Sequence, residues 1–276
     1  MCSIAGFLSS KKLNKETAKN LASALLYYGS ERGMQSAGVF VDGKTYKKAV
    51  TPEAFVQEHK FLNMFKHDVT TCLLHTRQPT CGGRGDDQAQ PFNSGKTTTI
   101  HNGWFTNIKE LKETWSIKKS SGVDSELITS FIDTYGIRAL PSFLETASGA
   151  SAIAAHHKGT IYLMRDGNPI CYTIVTTGKD SLLVFASTPN ILLDALKFIF
   201  LVPETINVIS LPKETLFSVN AYGVKELAKM MPSFEDSKWL KYIDEPKDDL
   251  FDDQGAVEDR LIYDNVIDPD GTPWDA

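Results

Sequence analysis

Apolar residues in the first half of the chain follow strand spacing and helix spacing in turn. Residues 15–28 place Leu21 and Leu25 on one face of a helix. The pair Asp42-Gly43 is a strong signal for a hairpin turn between two strands. Strands are predicted at residues 3–8, 36–41, 45–48, 70–75 and 97–102, and helices at residues 15–28, 53–65, 108–115 and 124–135.

Strands predominate in the second half and come in neighbouring pairs. Strands are predicted at residues 150–156, 160–165, 170–176, 181–186, 215–220 and 224–228, and helices at residues 137–145 and 188–202. Groups of adjacent strands with helices between the groups favour antiparallel sheets covered by helices over a parallel βαβ fold. The pattern therefore predicts an α+β layered domain.

Two segments show neither the helix spacing nor the strand spacing of apolar residues. Residues 77–93 are rich in Gly, Pro and Asp, and a long ordered loop in a compact domain is usually functional. From Pro232 onward acidic residues dominate with isolated aromatics, as in a disordered tail or one draped on a surface. We therefore expect a folded domain at residues 2–232 and an acidic C-terminal tail at residues 233–276.

The balance of acidic and basic residues also changes after residue 232. The 276-residue chain has a net charge of −5, but residues 233–276 hold 14 acidic and 4 basic residues, whereas residues 1–232 hold 25 basic and 20 acidic residues. The body has no basic cluster dense enough to predict a nucleic-acid groove. Hydrophobic content of 42% and charged content of 23% are ordinary for a soluble globular protein.

Nothing in the sequence indicates a membrane or an oxidising compartment. The most apolar region, residues 191–202, is short and is interrupted by Asp194 and Lys197, so it is interpreted as a buried helix. The N-terminus lacks the basic leader of a secretory signal. Four cysteines show neither a disulfide framework nor zinc-ligand spacing, and a reducing cytoplasm is expected.

The second residue is a cysteine, small enough for the initiator Met1 to be removed in front of it. Removal would leave a thiol and a free α-amine on Cys2, which together form a nucleophile and its base. Taken alone, Cys2 is better explained as a buried strand residue than as a catalytic one. Other candidate residues also have ordinary structural explanations: Arg32 in a loop, Arg77 in a surface ion pair, Asn102-Gly103 as a tight turn ending a strand, and Asp124 as a helix N-cap.

The order of the motifs changes this balance. The motifs are Cys2-Ser-Ile-Ala-Gly-Phe, Arg32-Gly-Met-Gln-Ser-Ala-Gly, His75-Thr-Arg, Ala89-Gln-Pro-Phe, His101-Asn-Gly, Asp124-Ser-Glu, Arg165-Asp-Gly-Asn-Pro and Ala186-Ser-Thr-Pro. In this order they resemble the glutaminase domain of class II glutamine amidotransferases, which are N-terminal-nucleophile hydrolases. The resemblance covers roughly residues 2–225 and implies a four-layer αββα sandwich of two mostly antiparallel sheets.

The resemblance implies a catalytic role for three residues. The Cys2 thiolate would attack the side-chain amide of glutamine and form a γ-glutamyl thioester with loss of ammonia, and water would then release glutamate. The α-amine, whose ordinary pKa is ~8, would act as base and then as acid. The side-chain amide of Asn102 and the backbone N–H of Gly103 would stabilise the oxyanion.

The resemblance also implies how glutamine is recognised. Arg77 would bind the α-carboxylate through its planar guanidinium, and Asp124 would bind the α-ammonium. Thr80 and Cys81 fall where the family's mobile loop contacts glutamine, and Arg32 would support the site near Cys2. In this chain the loop lacks the family's gating aromatic residue, although its glycines support mobility.

No cofactor or metal is expected, because the chain has no glycine-rich phosphate loop, no dinucleotide motif and no metal-ligand spacing. His75 and His101 lie next to motif residues, and we interpret both as structural support.

The leading hypothesis is a cytoplasmic stand-alone glutaminase that supplies ammonia to a separate synthase or synthetase, since only 44 residues follow the domain. The acidic tail would dock that partner, or it is a solvated segment with no role. Two alternatives are an N-terminal-nucleophile amidase acting on another amide and a retired glutaminase that serves as a binding or regulatory module. Arg77 with Asp124 argues against the first alternative, and the intact set of site residues argues against the second.

Overall fold

The computed structural model describes residues 1–78, 83, 85–117, 123–199 and 206–230. Its strands are β1 Ser3–Leu13, β2 Ser36–Val41, β3 Lys44–Lys48, β4 Val69–Arg77, β5 Phe92–Ser94, β6 Thr97–Phe105, β7 Gly149–His157, β8 Thr160–Arg165, β9 Cys171–Thr177, β10 Asp180–Ala186, β11 Ile209–Ser210, β12 Thr215–Asn220 and β13 Gly223–Lys229. Its α-helices are α1 Lys15–Gly29, α2 Pro52–Phe55, α3 His59–Met64, α4 Ile108–Thr114, α5 Asp124–Tyr135, α6 Leu140–Thr146 and α7 Pro189–Ile199.

The strands form two antiparallel sheets. The first sheet has the order β11-β9-β10-β1-β4-β2-β3, and the second has the order β13-β12-β8-β7-β6-β5. Each strand pair within the described residues runs antiparallel. This confirms the α+β fold with two antiparallel sheets that the sequence predicted.

Three apolar clusters separate four layers. In β1, Ala5 and Phe7 pack with α1 and α7 on the outer face of the first sheet. Ile4 lies in a second cluster between the two sheets, because successive side chains of a strand point to opposite faces. A third cluster joins the outer face of the second sheet to α4, α5 and α6. Fully burying one such Phe, Leu or Ile stabilises the fold by about 1.5–3 kcal/mol.

Helix α1 shows how local sequence sets an outer layer. The side chain of Asn14 caps it by accepting the backbone N–H of Glu16 at 2.9 Å. Leu21 and Leu25, four residues apart, lie on its buried face against the first sheet. The helix ends at Gly29, and a 3-10 turn over Ser30–Arg32 then turns the chain back toward its own N-terminus.

Several predicted boundaries are wrong, for local reasons. The helix predicted at residues 53–65 is two short helices, α2 and α3, and Thr51 with Pro52 sets the start of the first one. The segment at residues 137–145 is a 3-10 turn followed by α6. The short strands β5 and β11 were not predicted, since two or three residues carry too little periodicity.

Two corrections concern predicted site residues. Asn102 and Gly103 do not form a turn: β6 continues to Phe105, because β7 pairs with it along its whole length, including Gly103 with Ser151. Asp124 is not the N-cap of α5 but its first residue, and Val123 occupies the cap position. Residues 200–202 of the last predicted helix and the predicted tail at residues 233–276 lie outside the described residues.

Candidate active site

Strand alternation directs three predicted site residues into the space between the sheets. Cys2 precedes Ile4 by two residues, Arg77 follows Leu73 by four, and Asn102 follows Ile100 by two. Ile4, Leu73 and Ile100 all belong to the apolar cluster between the sheets. Because strand side chains repeat every two residues, Cys2, Arg77 and Asn102 share that inner side.

Cys2 is buried just before β1 and is held by its neighbours. The residue as a whole is 9% exposed, and its Sγ lies 3.5 Å from the carbonyl oxygen of Gln78. Arg32, at the end of the 3-10 turn, donates its Nε–H to the carbonyl oxygen of Cys2 at 3.1 Å. This contact places Arg32 beside the predicted nucleophile.

The electrostatic surroundings of the Cys2 thiol connect it to two other predicted residues. Burial raises the pKa of the Cys2 thiol. The positive charges of the Met1 N-terminus and Arg77 lower that pKa, whereas the negative charge of Asp124 raises it. Arg77 and Asp124 thus both act on the sulfur, and a buried thiol with a raised pKa needs a base to ionise it.

Arg77 ends β4 and is 5% exposed. Its Nη1–H donates to the carbonyl oxygen of Gly83 at 2.9 Å, which ties the following loop to the strand end. Gly33 lies against the backbone of Arg77: a Cβ at position 33 would lie 2.6 Å from the carbonyl carbon of Arg77. Glycine at position 33 therefore lets the Arg32 turn and the end of β4 meet closely.

Asp124 is 3% exposed at the start of α5. Its Oδ2 accepts the backbone N–H of Phe105 at 3.1 Å. Its Oδ1 accepts the backbone N–H of Ser125 at 2.8 Å and lies 3.3 Å from the Ser125 hydroxyl. These bonds fasten the carboxylate between the start of α5 and the end of β6.

The predicted oxyanion donors lie on β6. The Nδ2 of Asn102 is buried and has no hydrogen-bond partner among the described residues, so it is an available donor. The backbone carbonyl oxygen of Asn102 accepts the side-chain Nδ2–H of Asn168 at 3.0 Å. At position 103, a Cβ would lie 2.1 Å from the carbonyl oxygen of Ala150 and 2.4 Å from Nε2 of His101, so only glycine fits.

Two buried histidines link the sheets behind these donors. Nε2 of His75 lies 3.2 Å from the carbonyl oxygen of His101. Burial lowers the pKa of His75 to about 3 and also lowers the pKa of His101. Both rings are therefore neutral near pH 7 and contribute hydrogen bonds to the sandwich.

The structure describes most, but not all, of the predicted site. Thr80 and Cys81 lie outside the described residues. Gln90, Ser125 and Asn168 contact predicted site residues or their neighbours, but the sequence assigned them no role, although all three lie in the quoted motifs. Within the described part of the chain, no group of three or more His, Cys, Asp or Glu side chains is arranged to hold a metal ion. Among those same residues, none of the helices combines the length and the apolar character needed to cross a membrane.

Comparison with protein families identifies part of this region. Residues 75–194 match the family described as glutamine amidotransferase domain. The matched residues include Arg77, Asn102, Gly103 and Asp124, while Cys2 and Arg32 precede them.

Curated relatives align with 62% of the chain. The glutamine–fructose-6-phosphate aminotransferase (isomerizing) of Sulfolobus acidocaldarius is 32% identical over 189 residues, which are 31% of its length. The 7-cyano-7-deazaguanine synthase 2 of Sulfurisphaera tokodaii is 25% identical over 183 residues, which are 40% of its length. The chain therefore matches well under half of either relative.

Solved structures share the fold. The glutamine phosphoribosylpyrophosphate amidotransferase from B. subtilis, complexed with ADP and GMP, has a TM-score of 0.61 with 18% identity. A structure titled as the allosteric regulatory enzyme of purine biosynthesis has a TM-score of 0.63 with 18% identity. Each comparison covers 84% of this chain and 50% of the other, and at this identity the likeness concerns the fold.

Proposed function

We propose that this chain, whose residues 75–194 match the glutamine amidotransferase domain family, is a class II glutamine amidotransferase that hydrolyses the side-chain amide of glutamine through Cys2. The observation that carries the proposal is that Cys2, Arg77 and Asn102 share the space between the sheets, with the charges of Arg77 and Asp124 both near enough to change the pKa of the Cys2 thiol. A cation and an anion beside one buried nucleophile suit the α-carboxylate and the α-ammonium of a free amino acid. Another amide substrate without these two groups would not complement this pair of charges.

The reaction begins when Met1 has been removed. The α-amine of Cys2 takes the proton of the thiol, and the thiolate attacks the amide carbon, so that a carbon–sulfur bond forms and the carbonyl oxygen becomes negative. Burial, which raises the pKa of the thiol, makes this base necessary. The side-chain amide of Asn102 and the N–H of Gly103 donate to the oxyanion.

The intermediate then collapses to a thioester. The carbon–nitrogen bond breaks, and the α-ammonium of Cys2 returns its proton to the departing nitrogen, which leaves as ammonia. Water attacks the thioester with the α-amine again as base, glutamate departs, and the thiol is restored. Arg32 keeps the Cys2 backbone in place through its bond to the Cys2 carbonyl oxygen, and Thr80 and Cys81 complete the substrate loop in this proposal.

We further propose that residues 2–232 form this glutaminase domain and that the ammonia passes to a separate acceptor-using synthase or synthetase. The curated relatives are named as a synthase and an aminotransferase. At neutral pH free ammonia is mostly protonated and is then not a nucleophile, so direct delivery to an acceptor site is favoured. The acidic segment at residues 233–276, outside the described residues, would guide docking by its charge.

The test is glutamate release from glutamine by protein whose N-terminus is verified as Cys2. We expect release by the wild type, loss of release in Cys2→Ala, and retained release in Cys72→Ala. Cys72 is a matched control because it is a buried cysteine in the cluster beneath α1, on the outer face of β4. Absence of release from the wild type, even with candidate acceptor enzymes present, would contradict the proposal.

A further inference from the structure

Among the described residues no strand pairs with His101 on the β5 side of β6, and a side chain makes the bonds that a strand would make there. Strand β5 pairs with β6 only from Ser94 with Thr97 to Phe92 with Thr99. Two residues further along β6, Oε1 of Gln90 accepts the backbone N–H of His101 at 2.6 Å, and Nε2 of Gln90 donates to its carbonyl oxygen at 2.9 Å. The carboxamide thus makes the two bonds that a neighbouring peptide group would make.

The backbone of Gln90 is fixed against the other sheet. A Cβ at position 38 of β2 would lie 1.8 Å from the carbonyl oxygen of Gln90, so glycine at position 38 is what permits this contact. Lys47 of β3 donates to the carbonyl oxygen of Ala89 at 2.6 Å. Gln90 itself is 3% exposed. The residue therefore spans from the first sheet to β6 of the second.

The same carboxamide also reaches α5. Nε2 of Gln90 donates to the hydroxyl oxygen of Ser125 at 3.0 Å, and Nδ1 of His101 lies 3.0 Å from that oxygen. The backbone N–H of Ser125 donates to Oδ1 of Asp124. One primary amide, with two donors and an acceptor, thus bonds directly to the strand that carries Asn102 and Gly103 and to the helix turn that carries Asp124.

We propose that Gln90 is a positioning residue that holds the oxyanion donors of β6 and the ammonium-binding Asp124 of α5 in one geometry. This proposal rests on the proposed glutaminase function. It assigns a role to the Ala89-Gln-Pro-Phe motif, which the reaction steps above leave unused. The role requires a carboxamide, because a carboxylate has no N–H donors and a thioether has neither donors nor a strong acceptor.

The kinetic test separates the two arms of the carboxamide. Of the bonds that the carboxamide makes, Ser125→Ala removes only the one to α5, together with the contacts of the hydroxyl with His101 and Asp124, so we expect a higher KM for glutamine with kcat nearly unchanged. Gln90→Met removes both arms, so we expect a higher KM together with a kcat roughly 100-fold lower, the size of effect that a misplacement of about 1 Å produces. Gln57→Met is the matched control, since Gln57 is exposed between α2 and α3, and wild-type kinetics are expected.

Gln90→Glu guards against simple unfolding. It keeps the shape and the acceptor for the His101 N–H but loses both N–H donors, and at a temperature where circular dichroism shows both Gln90 variants to be folded we expect the kinetic loss of Gln90→Met. A purely structural role predicts instead that activity falls only in proportion to the folded fraction, with KM unchanged. That result, or wild-type kinetics in both Gln90 variants, would overturn the proposal.

Hydrogen exchange of single amides tests the positioning role independently of activity. In Gln90→Met the amide of His101 is expected to lose protection, and in Ser125→Ala the amide of Phe105, which donates to Asp124, is expected to exchange faster. If the wild type releases no glutamate, the proposed function fails, and these exchange rates still decide whether Gln90 holds β6. Unchanged protection of His101 in Gln90→Met would refute the positioning role.

Discussion

Asp124 accepts the backbone N–H of Phe105 at 3.1 Å, which fastens the first residue of α5 to the end of β6. Gly103, a predicted oxyanion donor, lies two residues before Phe105 on that strand. The residue proposed to bind the α-ammonium, Asp124, is therefore bonded to the strand that carries the residues proposed to bind the oxyanion. Substitutions in β6 or in the first turn of α5 are expected to alter both substrate binding and chemistry.

Gly103→Ala should damage both stability and activity. A Cβ added to the wild-type backbone at position 103 would lie 2.1 Å from the carbonyl oxygen of Ala150 and 2.4 Å from Nε2 of His101. We expect a loss of about 1–3 kcal/mol in the free energy of unfolding, as for other overpacked sites, and at least a 100-fold fall in kcat. Urea unfolding and glutamate release measure the two effects.

The control for that variant is Gly223→Ala, because a Cβ at position 223 would meet no atom within 4 Å. It should leave both quantities unchanged. A folded Gly103→Ala protein with wild-type kcat would contradict the assignment of Gly103 to the oxyanion site.

The two charges that act on Cys2 should shift its reactivity in opposite directions. Asp124 raises the pKa of the thiol, so Asp124→Asn should lower that pKa and speed alkylation of Cys2 by iodoacetamide at neutral pH. Arg77 lowers the pKa, so Arg77→Gln should raise it and slow alkylation. The measurement is the pH profile of alkylation at Cys2, followed by mass spectrometry of the N-terminal peptide.

Asp180→Asn serves as a charge control, since Asp180 forms an exposed ion pair with Lys11 at 3.2 Å and is not among the groups that shift Cys2. Its profile should match the wild type. If Asp124→Asn and Arg77→Gln move the profile in the same direction, the electrostatic description of the site is wrong.

His75 should make the fold sensitive to acid. Its pKa is about 3 in the folded protein against 6.5 when unperturbed, mainly because it is buried. A depressed pKa stabilises the folded state above pH 6.5, and that contribution is lost as the pH falls toward 3, by at most about 1.4 kcal/mol per pH unit for one group. His75→Gln retains an N–H donor but does not titrate, so its stability should fall less steeply between pH 6.5 and 5.

Urea unfolding of both proteins across that range measures the difference in slope. His101 has a pKa lowered in the same direction and remains in both proteins, so part of the acid sensitivity is expected to persist in the variant. Identical slopes for wild type and His75→Gln would contradict the buried neutral state of His75.

The acidic segment at residues 233–276 should affect ammonia transfer to an acceptor enzyme and not glutamine hydrolysis. Deleting residues 236–276 removes most of the negative charge beyond residue 232 and should leave basal glutamate release unchanged, because the proposed site residues all precede it. Transfer of ammonia to an added acceptor enzyme should weaken, and more so at low ionic strength, where charge guides the encounter best. Loss of basal activity on deletion would show instead that the segment belongs to the fold or the site.

Local patterns in the sequence predict the layers better than the contacts of the site. Strand and helix spacing placed β2, β8, β12 and α5 at their observed bounds. The turn predicted from the dipeptide Asn102-Gly103 is wrong, because pairing of β6 with β7, nearly fifty residues away, outweighs the preference of two residues. Asn168 reaches the carbonyl oxygen of Asn102 across 66 residues of chain, a contact that no local pattern contains.

The most direct test of the account compares two forms of the same protein, one with Cys2 as its N-terminal residue and one in which Met1 is retained. In the retained form the α-amine of Cys2 is part of a peptide bond and cannot take the thiol proton. We predict that glutamate release per mole of protein follows the fraction of mature N-terminus measured by mass spectrometry and vanishes with Met1 retained. Equal rates of glutamate release from both forms would contradict a nucleophile activated by its own α-amine.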